Sequence, residues 1–469
     1  MGSIEKTVLP TRANELAEDG TQVKVKSIQE FGGGLKSEFS FDPTWVNLNH
    51  GSFGGIPKAI RTKLYEYQDH VQARPDVALR YSYPGLTDES RAAVAEIIHA
   101  PVETVAFVTN ATEAVNTVFR NLEWAEDGKD VIVYFSTIYE SCGNMIDYVV
   151  DYFGLGRVSS KMIPIEYPLE DDEIISLFRE AVEEIESQGK RARVCVFDVV
   201  SSRPGVVFPW VEMVKTCKEL GVLSLVDGAQ GIGMVHLDVG AADPDFFTSN
   251  CHKWLYTPVG CAVFYVPVRN HHLLPTTLST CYGYMPKQQR LTRSLPPPGG
   301  KGDFASNFEF VGTKDYSPWW CVKDAVAYRR DVLGGEGKIL DYLWDLNKKG
   351  SQYVADALGT YVLNNKAGTL TDCAMANIAL PVWIGEKGRG AKEGDVVIPA
   401  EHRDTLYYWA LKTVHEDYKT FLPMFWLHER LWIRTSAQVY LDMKDYEFAF
   451  ETVKALCERI GKGEYLNGA

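Results

Sequence analysis

The chain has 469 residues, 45% hydrophobic and 23% charged, with a formal net charge of -14. That is the balance of a globular protein too long for one small core, so two packed domains are expected. The acidic excess argues against nucleic acid or an anionic membrane as the main partner, and no apolar run reaches the roughly 18 residues of a membrane span.

Residues 1–40 read as a flexible arm, polar and mixed in charge, ending near the glycine run at 32–34. The arm has neither the apolar centre of a secretory signal nor the arginine content of a transit peptide. The nine cysteines include no C-x-x-C pair and read as reduced thiols in a cytoplasmic enzyme. The pair His271-His272 sits on a polar connector and reads as surface, and no metal site is expected.

Asn49-His50-Gly51-Ser52-Phe53-Gly54-Gly55 is a turn-rich loop, followed by helical spacing at Pro57–Val71 and Asp88–His99. Strands and helices then alternate. Strands are predicted at Thr104–Val108, Asp130–Phe135, Val158–Ile163, Arg193–Val200 and Leu223–Val226. Helices are predicted between them at Asn110–Asn121, Cys142–Phe153, Glu170–Gln188 and Trp210–Leu220. Further strands fall at Pro244–Thr248 and Cys261–Val266. Such alternation predicts an α/β fold with a mostly parallel sheet covered on both faces. Ser294–Gly300 is a Pro/Gly connector, helical patterns follow at 317–332 and 336–357, and the remainder mixes strands and helices. The expected division is a large domain at 41–315 and a smaller C-terminal α/β domain at 316–469.

Four local features carry chemistry. Leu223-Ser-Leu-Val-Asp227-Gly-Ala-Gln230 puts a carboxylate at the C-terminal end of a buried strand, the edge where open α/β sheets bind ligands. A protonated ring nitrogen is a suitable partner for it; a capped turn is the plainer alternative. Phe246-Phe-Thr-Ser249-Asn-Cys-His252-Lys253-Trp254 sets a lysine in apolar surroundings that favour its neutral amine, with Ser249 and His252 beside it to meet an anion. Phe107-Val-Thr-Asn110-Ala111-Thr112-Glu113 runs a strand into a helix start, a seat for phosphate or else an ordinary N-cap. Leu431-Trp-Ile-Arg434 buries an arginine that needs a carboxylate, from a substrate or from a buried glutamate.

These parts fit one cofactor, pyridoxal 5'-phosphate (PLP). Its phosphate would sit at Ala111-Thr112, its pyridine nitrogen at Asp227 and its aldehyde on Lys253, while Arg434 orients an amino-acid substrate by its carboxylate.

The motifs N-L-N-H-G-S-F-G, V-D-G-A-Q-G-I-G and S-N-C-H-K-W resemble the fold-type-I, class V aminotransferase-like family from about Asn47 to the C-terminus. The resemblance implies a seven-stranded large domain and a homodimer with shared active sites. It also implies Lys253 as the covalent anchor and proton carrier, Asp227 on the ring nitrogen and Gln230 on the phenolic oxygen. Ala111, Thr112, Ser249 and His252 would surround the phosphate, with Thr313 reaching the phosphate of the neighbouring subunit. Tyr139 would lie over the cofactor, and Asn49 and His50 would line the substrate mouth with Arg434. D-V-V-S-S-R-P-G-V, S-N-F-E-F-V-G-T and S-A-Q-V-Y-L are similar to the fungal hercynylcysteine sulfoxide lyases of ergothioneine biosynthesis. That likeness implies C–S cleavage of a cysteine-conjugate sulfoxide. Those lyases carry a cysteine in the strand after Ser159-Ser160, where this chain has Met162, and a thioether donates no proton. A loline-pathway relative on the same scaffold implies the alternative, a decarboxylative or Mannich-type cyclase.

Overall fold

The computed structural model describes residues 29–154, 156–281, 284–292 and 302–467. The Pro/Gly connector at 294–300 and most of the expected arm lie outside the described residues. From Gln29 the chain is packed, which corrects the arm reading for residues 29–40. Gln29 N–H donates to Val332 O at 3.0 Å and Gly32 N–H to Val439 O at 2.8 Å. Leu35 and Phe39 are buried, and these two apolar anchors tie the segment to the core.

Seven strands form the large sheet: β1 Val105–Val108, β2 Asp130–Phe135, β3 Val158–Ile163, β4 Arg191–Asp198, β5 Leu223–Asp227, β6 Phe246–Asn250 and β7 Ala262–Tyr265. Their spatial order is β1-β7-β6-β5-β4-β2-β3. The ladders from β3 to β6 are parallel, whereas β7 is antiparallel to both β6 and β1. The central strands alternate between two apolar cores. Cys195, Phe197, Val226 and Phe247 face one, and Val194, Val196, Leu225 and Phe246 face the other. Burial on both faces explains why these strands read as unbroken apolar runs.

Among the described residues, the helices of ten or more residues are α1 Lys58–Ala73, α2 Tyr83–Ile97, α3 Ala111–Asn121, α4 Glu140–Phe153, α5 Asp171–Ser187, α6 Trp210–Glu219, α7 Ser317–Asp331, α8 Glu336–Leu358, α9 Arg403–Tyr418 and α10 Met443–Gly461. A second sheet of β8 Met375–Ile384, β9 Val396–Ile398, β10 Met424–Leu427 and β11 Arg430–Ser436 has the order β10-β11-β8-β9. Helix α8 packs on β8 and on α10. Helix α7, at the start of the segment expected as the smaller domain, packs instead on α2 and α1. Its Trp320 indole donates to Thr87 Oγ1 at 3.2 Å, and its Trp319 indole to Gly260 O at 3.1 Å. Among the described residues no helix is long and apolar enough to cross a membrane.

Candidate active site

Three neighbouring strands end in polar groups. Strand β4 ends at Asp198, β5 at Asp227 and β6 at Asn250, which leads into the helical turn Cys251–Trp254 that carries Lys253. Asp198 and Asp227 are register partners, so both carboxylates leave the same face of the sheet. Asp227 is 3% exposed; its Oδ1 accepts the Ala229 N–H at 2.9 Å, and the Cys142 Sγ of α4 lies 3.6 Å from its Oδ2. No described cation pairs with it within ion-pair distance. Asp198 is buried as well, and its carboxylate has no hydrogen-bond partner among the described residues. Burial pushes both acids upward, Asp198 well above the usual range, with the negative charge of Asp227 as its next cause.

The Lys253 amine makes no hydrogen bond or ion pair with a described residue. Burial lowers its pKa to about 8, against the pull of Asp227. A buried acid without an ion-pair partner therefore stands one strand away from an amine that loses its proton near pH 8.

His50 holds the lysine turn from behind. Its Nε2 donates to Lys253 O at 2.6 Å, so the other ring nitrogen, Nδ1, accepts the Tyr440 O–H at 3.0 Å. The side chain is fully buried, and burial holds its pKa down to about 3. The expected place of His50 at the substrate mouth is thus corrected: burial puts it under the lysine, and the cavity at the mouth is lined by Asn49 without it. Gly54 completes the fit with φ +73, and a Cβ there would lie 2.0 Å from His252 O.

Gln230 Nε2 donates to Gly51 O at 2.6 Å while its Oε1 accepts the Trp254 indole at 2.7 Å. One amide N–H remains for a ligand. Ser249 Oγ donates to Gly228 O and accepts the Ile232 N–H at 2.9 Å, which ties the turn after Asp227 to β6. That hydroxyl proton is already engaged. His252 is partly buried and directed by a 3.2 Å contact of Nδ1 with Cys261 O; burial lowers its pKa.

At the start of α3, the Ala111 N–H donates to Asn250 Oδ1 at 2.9 Å and the Glu113 N–H to Asn110 Oδ1 at 2.9 Å. The Thr112 N–H has no partner among the described hydrogen bonds, so Thr112 is the open donor of this helix end. Tyr139 stands just before α4, 48% exposed, on the element that carries Cys142. Thr313 is exposed on the segment before α7, with no described contact to Asp227 or Lys253.

Arg434 comes from β11 and is 2% exposed. Its Nη1 donates to Ser202 O at 2.7 Å, and its Nη2 to Asn49 Oδ1 at 2.8 Å and Ser52 Oγ at 3.0 Å. Its buried Nε has no partner, and no described carboxylate pairs with the guanidinium. The alternative of a buried Arg–Glu pair is therefore not what the fold builds. Gly205 lets the arginine stem lie close, since a Cβ there would be 2.8 Å from Arg434 Cδ. A cavity of about 570 Å³ opens outward from Arg434.

The aminotransferase class-V family model matches residues 58–283. The L-cysteine desulfhydrase-like protein lolT1 of Epichloe uncinata is 32% identical, with 92% of this chain and 96% of that protein covered. The chain belongs to the class-V aminotransferase family. The hercynylcysteine sulfoxide lyase of Schizosaccharomyces pombe is 29% identical over 91% of this chain and 98% of that protein. Among solved structures, the cystine C-S lyase C-DES shares the fold with a TM-score of 0.68 at 17% identity, covering 91% of this chain and 98% of that one.

Membership makes this chain a PLP enzyme of the class-V aminotransferase family, with the fold-type-I architecture. The residues present fit that cofactor: an uncompensated acid at Asp227, an unbonded amine at Lys253 and an open helix-end donor at Thr112.

Two corrections concern sulfur. Met162 lies on β3, the edge strand, and is 48% exposed. At about 4.8 Å per strand it is roughly 14 Å across the sheet from β5, so a methionine there leaves the Asp227–Lys253 centre unchanged. The thiol beside the centre is Cys142, which the sequence reading missed because a single cysteine inside an amphipathic helix carries no local signal. Burial pushes that thiol upward, with the Asp227 charge as the next cause, and keeps it protonated. Asp198 and Asn250 were missed too. Asp198 closes an apolar strand just as Asp227 does, so the same signal was available.

Proposed function

We propose that this enzyme is a PLP-dependent lyase that cleaves the C–S bond of a cysteine conjugate, with a cysteine-conjugate sulfoxide of the ergothioneine type as its substrate. The observation that carries the reading is the pairing of an unbonded Lys253 amine with a buried Arg434 that lacks a carboxylate and opens onto a roomy cavity. Two relatives matched over more than nine-tenths of the chain, a cysteine desulfhydrase-like protein and a sulfoxide lyase, support it.

Bound PLP supplies an electron sink for negative charge at the substrate's α-carbon. Asp227 holds a proton at the ring nitrogen and Lys253 is the attachment point. Thr112, with Ala111, Ser249 and His252 around it, receives the phosphate. Arg434 and Asn49 fix the α-carboxylate, which aims the α-hydrogen at Lys253. The Lys253 amine removes that proton, and the sulfur departs with the electrons of the Cβ–S bond. Gln230 would offer its free amide N–H to the phenolic oxygen, and Tyr139 would lie over the ring. The reading includes a homodimer in which exposed Thr313 reaches the neighbouring phosphate, and a cytoplasmic setting that suits nine unpaired cysteines.

Pyruvate and ammonia released in equal amounts from a cysteine-conjugate sulfoxide is the expected result. Carbon dioxide loss or ring closure without sulfur release would overturn it in favour of the cyclase.

A further inference from the structure

Arg329 of α7 is 1% exposed and paired with Glu336, the first residue of α8. Its Nη2 donates to Glu336 Oε2 at 2.7 Å and its Nε to Glu336 Oε1. Burying such a pair costs desolvation that the pairing need not repay, so stability alone does not account for it. The rest of the fork reaches the active site. Nη1 donates to Trp254 O at 2.8 Å, and Nη2 also donates to Gly233 O at 3.2 Å. Trp254 directly follows Lys253, and Gly233 closes the loop Asp227-Gly-Ala-Gln230-Gly-Ile-Gly233. One guanidinium therefore bonds both of the segments that carry the centre.

The lysine turn needs donors from outside. Lys253 O and Trp254 O end a helical turn of four residues, and such terminal carbonyls lack helical partners. The Thr257 N–H turns back to Cys251 O, and Pro258 has no N–H, so neither residue can continue the helix. His50 takes Lys253 O and Arg329 takes Trp254 O. The two segments touch at this point, because a Cβ on Gly233 would lie 2.7 Å from Trp254 O. Arg329 makes no hydrogen bond to the side chain of Asp227 or Lys253, so its effect on them runs through the backbone. We infer that Arg329 is a positioning residue that locks the Lys253 turn against the Asp227 loop and so sets the spacing between the amine and the carboxylate. This rests on Lys253 and Asp227 as the proposed contacts of PLP, and adds the group that holds the two apart at a fixed distance.

The test is circular dichroism in the cofactor's absorbance band of the PLP-loaded enzyme, normalised to bound PLP, beside PLP retention by equilibrium dialysis and Tm by thermal unfolding. Ellipticity per bound PLP reports how firmly the ring is held at both ends, which a loss of stability alone does not move. In Arg329→Met it should fall by about half, with PLP retention about tenfold weaker, as expected when a preorganised site loses its hydrogen-bonded frame. Glu336→Gln keeps the guanidinium and both carbonyl contacts; it should lower Tm and leave ellipticity and retention unchanged. Arg329→Lys keeps the charge beside Glu336 but cannot span two carbonyls, so it should regain Tm without regaining ellipticity. That variant also carries the test where Arg329→Met fails to fold. Normal ellipticity and retention in either folded Arg329 variant, or an equal loss in Glu336→Gln, would overturn the positioning role. Failure of the underlying cofactor assignment is distinct, since it shows in the unaltered enzyme as borohydride labelling away from Lys253.

Discussion

Asp198 and Asp227 end neighbouring parallel strands as register partners, two buried carboxylates on one face beside a single lysine. Both carboxylates hold the Lys253 pKa up, against the burial that brings it to about 8. The amine is cationic below that value and nucleophilic above it. PLP uptake by the apoenzyme should therefore accelerate with rising pH and level off above about 8. Removing one negative neighbour favours the neutral amine, so Asp198→Asn should move the midpoint to lower pH. Stopped-flow absorbance across pH measures this, and an unchanged or higher midpoint would contradict the role of Asp198.

Arg434 donates to Ser202, Asn49 and Ser52 and has no protein carboxylate. Arg434→Lys keeps the charge and loses the fork. The expected loss is about 2–3 kcal/mol, or about a hundredfold in kcat/KM, mostly as a rise in KM. Steady-state kinetics on the best conjugate decides it, and a change confined to kcat would contradict carboxylate binding.

His50 acts through the Lys253 carbonyl rather than on substrate. His50→Ala leaves that carbonyl without its donor and the Tyr440 O–H without its acceptor, and should weaken PLP retention about tenfold. His50→Gln, able to donate to the same carbonyl, should recover part of it. Because burial keeps His50 neutral down to about pH 3, its loss should not remove a limb near pH 6.5 from the rate profile. Equilibrium dialysis of PLP and pH–rate curves report on the two claims separately.

Much of this centre was legible in the chain. Asp227 and Lys253 each follow an apolar strand, a local pattern that survives folding intact, and β2 and β3 have the bounds that periodicity predicts. His50 was misplaced because a turn-rich loop reads as surface, whereas long-range contacts with Lys253 and Tyr440 bury it. Cys142 reaches the site only through tertiary packing, and no spacing marks it. The packed stretch from Gln29 escaped for a similar reason: its partners Val332 and Val439 lie hundreds of residues away.

The central claim is that Lys253 bonds the cofactor. Borohydride reduction of the PLP-loaded enzyme, followed by peptide mass mapping, tests it most directly. The account predicts a single pyridoxyl adduct on the peptide containing Cys251-His252-Lys253-Trp254, absent in Lys253→Ala. An adduct on another lysine, or none in an enzyme that still turns over substrate, would contradict it.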